Sequence, residues 1–264
     1  MNQKKSETFE ERWNKLHDEL KDISDKEDSF KRQDFLLRTS RAISWFDRAE
    51  QLMEIDGEGV ENDLDTPFIF FWISFNTLYA RDPLEFFTKR GKREKNTFKR
   101  YFRNLLELDK NHNHIYKTIE NKKEVLGLLK NKFIDPLFWD YYHKYPLKRE
   151  EEYPNWDRKK RTKSFDDAKK ETEPNTLKML TAIFGRLYTL RNQIMHGGSA
   201  WKEYLKRGQL SDATKIMHEL LSVFIDLMLD NPEADWGGVF YPRVLKKPII
   251  DPGDQLMASR STRP

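Results

Sequence analysis

The stretch TPFIFFWISFNTLYARDP, residues 66–83, is apolar on nearly every side. A fully buried strand is normally shorter than this, whereas a helix surrounded by other helices can be apolar all round. Thr66 and Pro67 are typical of a helix cap followed by a proline in the first turn, and Pro83 ends the segment. The stretch therefore predicts a buried central helix over about residues 67–80.

Helical periodicity also dominates on both sides of this stretch, because apolar residues recur there at three- and four-residue steps. In the first part of the chain they are Phe9, Trp13, Leu16, Leu20 and Ile23, then Phe35, Ala42, Phe46, Ala49 and Met53. Later they are Leu180, Ile183, Leu187, Leu190 and Ile194, then Ala213, Met217, Leu220, Phe224 and Leu227. We find no strand-and-turn rhythm and no internal repeat, so the sequence predicts an all-α bundle.

The segment 82–172 has a different sequence pattern, in which short amphipathic stretches are separated by charge-rich connectors such as PLKREEEYPNWDRKKRTK. We therefore expect a single domain over residues 1–264 with an interrupted bundle. About residues 1–81 and 173–231 form the bundle, and 82–172 form a helical insertion packed outside its core. Residues 232–264 form an irregular C-terminal tail.

The composition excludes several kinds of protein. There is no cysteine, which excludes disulfides, thiolate metal sites and cysteine nucleophiles. The 48 Lys and Arg nearly balance the 44 Asp and Glu, so any surface that binds nucleic acid has to be local. The first residues, MNQKKSETFEERW, lack the apolar core of a signal peptide, and no apolar run approaches the ~20 residues that span a bilayer. We expect a soluble, cytoplasmic protein that does not bind membranes.

The stretch LYTLRNQIMHGGSAW, residues 187–201, places an arginine on a helix face that is otherwise apolar. The row of residues at helical spacing is Phe184, Tyr188, Arg191 and Met195. His196 follows at the predicted helix end, just before Gly197, which suits the left-handed position after a helix. The spacing allows two interpretations. In the first, Arg191 forms a structural ion pair with a neighbouring helix, and His196 is a histidine that stabilises the helix end. In the second, both side chains bind one phosphate, since their positions lie only about 7.5 Å apart along the helix axis.

The segment LRNQIMHGG resembles the signature of the HEPN superfamily (higher eukaryotes and prokaryotes nucleotide-binding). This signature is an arginine, a polar residue, three variable residues and a histidine near the end of a bundle helix, matched here by Arg191, Asn192 and His196. The resemblance implies an HEPN-like four-helix up-and-down bundle and a metal-independent endoribonuclease, often a toxin or an antiviral or stress-response effector. It also implies a homodimer in which the arginine and histidine of both protomers meet.

The chemistry of RNA cleavage through the 2′-hydroxyl is compatible with these residues. One proton leaves the 2′-hydroxyl, another reaches the 5′-oxygen, and charge develops on the phosphate. His196 is a suitable proton-transfer group, and Arg191 a suitable clamp for phosphate oxygens. Asn192 is expected to orient the arginine or the loop. Because one chain offers only one convincing histidine, a two-fold dimer is expected to supply the second.

Two alternatives remain open from the sequence. Many HEPN domains are catalytically silent, so the chain is alternatively a non-catalytic module that binds RNA or a nucleotide, or a dimerising adaptor. A third interpretation is a helical scaffold.

In the leading interpretation the partners are RNA, a second copy of the chain, and an antitoxin or defence-system protein. No cofactor and no metal are expected. His112 and His114 have chelating spacing but no evident third ligand, and His218 is expected to be a core-edge residue.

A basic run, KRGKREKNTFKRYFR, covers residues 89–103 and holds eight Lys and Arg against one Glu. Phe98, Tyr101 and Phe102 are interleaved with the charges. The run is either a solvated helix surface whose aromatic residues face the core, or a surface that follows a phosphate backbone. The candidate RNA-binding residues in it are Arg93, Lys95, Lys99 and Arg100.

Overall fold

The computed structural model describes residues 7–20, 26–55, 63–81, 93–145, 158–202, 207–239 and 241. These residues form ten α-helices and no β-sheet, with one isolated antiparallel bridge between Arg81 and Val239. The helices are α1 Phe9–Leu20, α2 Lys26–Ile55, α3 Asp65–Tyr79, α4 Arg93–Asp109, α5 His114–Ile119, α6 Lys123–Lys130, α7 Pro136–Lys144, α8 Arg158–Lys170, α9 Thr176–Met195 and α10 Arg207–Leu229. A short 3-10 helix, Lys132–Ile134, precedes α7. The prediction of an all-α protein is confirmed.

The four helices α2, α3, α9 and α10 share one core, and the predicted apolar faces of α2, α9 and α10 are buried in it. On α3, Phe75 lies 4.5 Å from Phe184 of α9, measured between ring centroids. The helix α3 begins at Asp65, before the predicted cap, because the Asp63 carboxylate accepts hydrogen bonds from the backbone N–H groups of Asp65 and Thr66. The predicted inward position of Met195 is wrong, since 54% of this residue is exposed.

The helices between α3 and α9 do not pack outside this core, contrary to the expectation from the sequence. Phe102 of α4 is fully buried, and its ring lies 4.8 Å from that of Phe184 and 6.0 Å from that of Phe224. The physical reason is that α9 and α10 are apolar on more than one face. The helix α9 therefore also packs against α4, α6 and α8, and α10 also packs against α4, α5 and α6. Residues 82–92 and 146–157 of the segment lie outside the described residues.

The chain after α10 is irregular but packed, over the part that the structure describes. Trp236 and Val239 are buried, and the Trp236 ring lies 6.2 Å from that of Tyr101. This segment is held by Arg38, whose buried guanidinium donates hydrogen bonds to five backbone carbonyls. They belong to Thr77 (3.1 Å), Leu78 (2.9 Å), Ala80 (2.6 Å), Gly237 (3.1 Å) and Gly238 (2.9 Å). Three of these carbonyls lie at the negative C-terminal end of α3, so one cation joins that helix end to the C-terminal segment.

In the described part of the chain, no helix combines the length and the apolar character needed to cross a bilayer.

Candidate active site

The helix α9 ends at the predicted motif with a well-defined turn. His196 is the C-cap residue, and its backbone N–H donates to the carbonyl of Asn192 at 3.0 Å. Gly197 follows in the left-handed region at φ 71°. The N–H of Gly198 returns to the carbonyl of Gln193, and that of Gly197 to the carbonyl of Ile194. These two bonds are a Schellman motif, so the glycines end the helix and leave the His196 side chain exposed.

Arg191 lies half-buried one turn before this end. Its Nη1 donates a hydrogen bond to the Asn192 Oδ1 at 2.9 Å, so Asn192 orients the guanidinium. Among the described residues, Arg191 has no carboxylate partner, and its buried Nε has no hydrogen-bond acceptor. The ion pair with a neighbouring helix that a purely structural role requires is therefore missing from the described part of the molecule.

An open pocket of about 520 Å³ lies between the end of α9 and α7. From α9 and its turn, the lining residues are Tyr188, Thr189, Asn192, Gln193, His196 and Gly198. From α7 and the residues before it, they are Phe133, Pro136, Trp139, Asp140 and His143. The structure thus brings Asn192 and His196 to one pocket. Arg191 does not line this pocket and is linked to it through Asn192.

The wall formed by α7 is fixed to α9 by buried polar contacts. The Arg186 Nη2 donates to the Asp135 Oδ2 at 2.6 Å, and both side chains are buried. The other oxygen of Asp135 accepts from the backbone N–H of Leu137 at 3.0 Å and caps α7. The carbonyl of Phe133 accepts from the Trp139 indole at 2.7 Å and from the Gln193 amide. The wall is therefore held at a fixed distance from the His196 turn.

Nothing in the sequence alone marks Trp139, Asp140 and His143 as parts of a site. They lie within the segment that was expected to pack outside the bundle. Their spacing of three and four residues does place them on one helix face. That spacing says nothing about which helix the face meets, because the contact with α9 depends on a pairing between Asp135 and Arg186 across 51 residues of chain.

The predicted RNA-binding residues lie on α4, and Lys99 and Arg100 do not line this pocket. Lys99 and Arg100 are half-exposed, and the side chains of Arg93 and Lys95 lie outside the described residues. Phe98, Tyr101 and Phe102 are buried in the core. Their interleaving with the charges is therefore explained by the two faces of an amphipathic helix, and these rings do not offer surfaces for stacking bases.

The other histidines have separate surroundings. The Nε2 of His218 lies 2.6 Å from the Glu50 Oε1, and its ring stacks on that of Phe46 at 5.4 Å, as expected for a core-edge residue. His112 and His114 are exposed, with their rings 5.3 Å apart. Over the described residues, no three His, Asp or Glu side chains are grouped so that they could hold a metal ion.

Exposed apolar side chains lie on the elements that border the pocket. Leu137 on α7 and Trp201 after the Schellman turn are each 69% exposed, and Met195 and Phe133 are also exposed. Exposed groups of large apolar residues are typical of surfaces that bind another protein. These four exposed residues, Phe133, Leu137, Met195 and Trp201, are called the apolar rim, and Phe133 among them lines the pocket.

The pocket offers imidazoles, amides and a carboxylate beside aromatic surface, which are groups that transfer protons and hydrogen-bond polar ligands. Comparisons with family models, with curated proteins and with solved structures found no match to this chain. The function is therefore inferred from the chemistry of the pocket and of the helix end beside it.

Proposed function

We propose that the protein is a metal-independent endoribonuclease of the HEPN type, with its site at the end of α9. In this proposal α2, α3, α9 and α10 are the HEPN-like up-and-down bundle, and the helices α4–α8 are inserted between α3 and α9. The observation that supports it most is the environment of the Arg191 side chain. It is half-buried, oriented by Asn192 and without a carboxylate partner among the described residues, beside a pocket that His196 lines.

The proposed reaction needs no group beyond protein side chains. The 2′-hydroxyl loses a proton and its oxygen attacks the adjacent phosphorus, while the bond from phosphorus to the 5′-oxygen breaks and that oxygen gains a proton. His196 carries out one of these proton transfers. Arg191 binds the phosphate oxygens as their negative charge increases, and Asn192 holds its guanidinium in place. The products are a 2′,3′-cyclic phosphate and a 5′-hydroxyl.

A homodimer through the apolar rim is part of the proposal. Met195 and Trp201 flank the His196 turn in the chain and are exposed, so a second copy that contacts them would bring two His196 turns close together. Closed two-fold dimers are the commonest homo-oligomers, and they use the same surface on both protomers. The biological setting proposed with it is toxin action, antiviral defence or stress response, in which an antitoxin or another defence protein restrains the nuclease.

The test is cleavage of a defined single-stranded RNA by the purified protein in the presence of a chelator. We expect cleavage, with cyclic-phosphate and 5′-hydroxyl ends identified by mass spectrometry. His196→Ala should lower the rate by roughly 10²–10⁴-fold, the range for a lost proton-transfer group. Arg191→Ala should lower it at least as much, and Arg191→Lys should restore little, because an ammonium cannot replace the planar guanidinium.

The matched controls are His112→Ala and Arg48→Ala, which alter an exposed histidine and an exposed arginine away from the pocket. Both should cleave like the parent. Activity that disappears with chelator, or Arg191 and His196 variants that cleave like these controls, would show that the site is wrong.

A non-catalytic module that binds RNA or a nucleotide is the second candidate. The observation in its favour is that Arg191 lies outside the lining of the pocket that contains His196. This candidate would be favoured over the nuclease if the parent binds RNA without cutting it and Arg191→Ala binds the same RNA less tightly.

A further inference from the structure

We infer that His143 on α7 is a second proton-transfer group of the same site, supplied by the same chain as His196. This inference rests on the proposed nuclease function and adds to it a residue that the HEPN-like motif does not include. It starts from one observation: His143 and His196 line a single pocket although 53 residues separate them in the chain.

The position of His143 follows from how α7 is held. The Asp135–Arg186 ion pair fixes the start of α7 against α9, and the Phe133 carbonyl binds both Trp139 and Gln193. His143 follows Trp139 by one helical turn, and the two rings lie 6.1 Å apart. The imidazole is therefore on a supported wall, facing the same space as the Schellman turn.

Two imidazoles in one pocket meet the proton balance of the proposed reaction. The neutral imidazole accepts the proton of the 2′-hydroxyl as the bond from O2′ to phosphorus forms. The protonated imidazole donates its proton to the 5′-oxygen as the bond from phosphorus to O5′ breaks. The enzyme ends with the two protonation states exchanged, and transfer of a proton through solvent restores them. No oxidant, metal or other reactant enters the step.

The other groups of the pocket have complementary tasks in this arrangement. Trp139 presents an aromatic surface on which a nucleobase can stack. The Asn192 amide, whose oxygen accepts from Arg191, can donate a hydrogen bond from its NH2 group to the edge of that base. The ionisable groups that line the pocket are Asp140 and His143 on α7, and Tyr188 and His196 on α9. Arg191 lies behind Asn192. Each protomer then contains both imidazoles, so the acid–base chemistry does not depend on a histidine from a second copy.

The test is the dependence of the cleavage rate on pH for the parent, His143→Ala, His143→Gln and His196→Ala. The parent should give a bell-shaped profile with two limbs. Either His143 variant should cleave roughly 10²–10⁴-fold more slowly and lose one limb, while His196→Ala should lose the other. The control is His112→Ala, which should keep both limbs and the parent rate. His143→Gln keeps a polar side chain of similar size, so a loss of activity shared by both His143 variants is not a folding defect.

A second measurement establishes whether His143 touches the substrate. The probe is a dinucleotide with a 2′-methoxy group at the cleavage position, which binds without being cut. Its addition should shift the imidazole resonances of His143 and His196 with the same dissociation constant and leave that of His112 unchanged. Two results would contradict the role of His143 and leave the proposed nuclease function standing. In one, the parent cleaves RNA and His143→Ala behaves like His112→Ala; in the other, the parent cleaves RNA and only the His196 resonance shifts. If the parent cleaves no RNA, the proposed nuclease function is wrong and this inference with it.

Discussion

Asp47 on α2 is a half-buried carboxyl group that lies among other carboxylates. Burial raises its pKa to about 6 from the ordinary 3.8, and the charges of Glu50 and Glu10 add to this effect. The folded protein therefore holds a proton on Asp47 at pH values where the unfolded chain has released it. The stability that this proton contributes is fully present below about pH 3.8 and is lost as the pH rises through about 6.

Asp47→Asn should accordingly be more stable than the parent at pH 7.5, because the amide cannot ionise in this place. The advantage should shrink as the pH falls through about 6 and disappear near 3.8. Urea unfolding over this pH range measures it as the difference in free energy of unfolding between the two proteins. Glu19→Gln, at an exposed carboxylate, is the control and should show no such trend. A constant difference across the range would mean that folding does not raise the pKa of Asp47.

At the scale of elements, α4 combines a buried aromatic face with a basic surface. Lys99 and Arg100 lie partly exposed beside the buried Phe98 and Tyr101. Changing Arg93, Lys95, Lys99 and Arg100 to Gln should weaken RNA binding and reduce its dependence on salt. Each phosphate contact that is lost lowers the slope of log K against log salt by about 0.7 for a single strand. Fluorescence anisotropy at several salt concentrations measures this slope.

The control for this experiment makes the same change in charge elsewhere. Lys117, Lys123, Lys130 and Lys170 are exposed lysines outside α4. Changing these four to Gln should leave the slope nearly unchanged. If both quadruple variants lower the slope equally, α4 contributes only general positive charge and does not form a path for the RNA backbone.

The elements also show where prediction from sequence succeeds. The helices α2, α9 and α10 follow from periodicity, because a repeated apolar face has to be buried whatever its partner is, and α3 follows from a stretch that is apolar on nearly every side. The position of α7 does not follow, because it depends on the contact between Asp135 and Arg186, which no local pattern encodes. The candidate role of His196 can therefore be predicted from the pattern of its own helix, whereas that of His143 depends on the tertiary structure. The aromatic residues of α4 were open to two interpretations until their burial was known.

At the scale of the whole molecule, the apolar rim is the surface proposed to join two copies. Leu137→Glu should place a charge in that interface and convert a dimer into monomers. Sedimentation velocity at micromolar concentration gives the molecular mass of both proteins. Phe30→Glu is the matched control, since Phe30 is 72% exposed on α2 and lies outside the rim. A parent that is monomeric and still cleaves RNA would contradict the proposed dimer.

The contact of Arg38 with Gly237 and Gly238 has a consequence for synthesis on the ribosome. Together with the Arg12–Asp230 ion pair, it joins early helices to residues made some 200 positions later. The helix α10 packs against α1, α2 and α3, and it too is made after them. We therefore expect the apolar faces of the early helices to stay partly uncovered until α10 and residues 237–238 have left the exit tunnel. Chaperones that bind apolar segments are expected to bind the nascent chain during this interval.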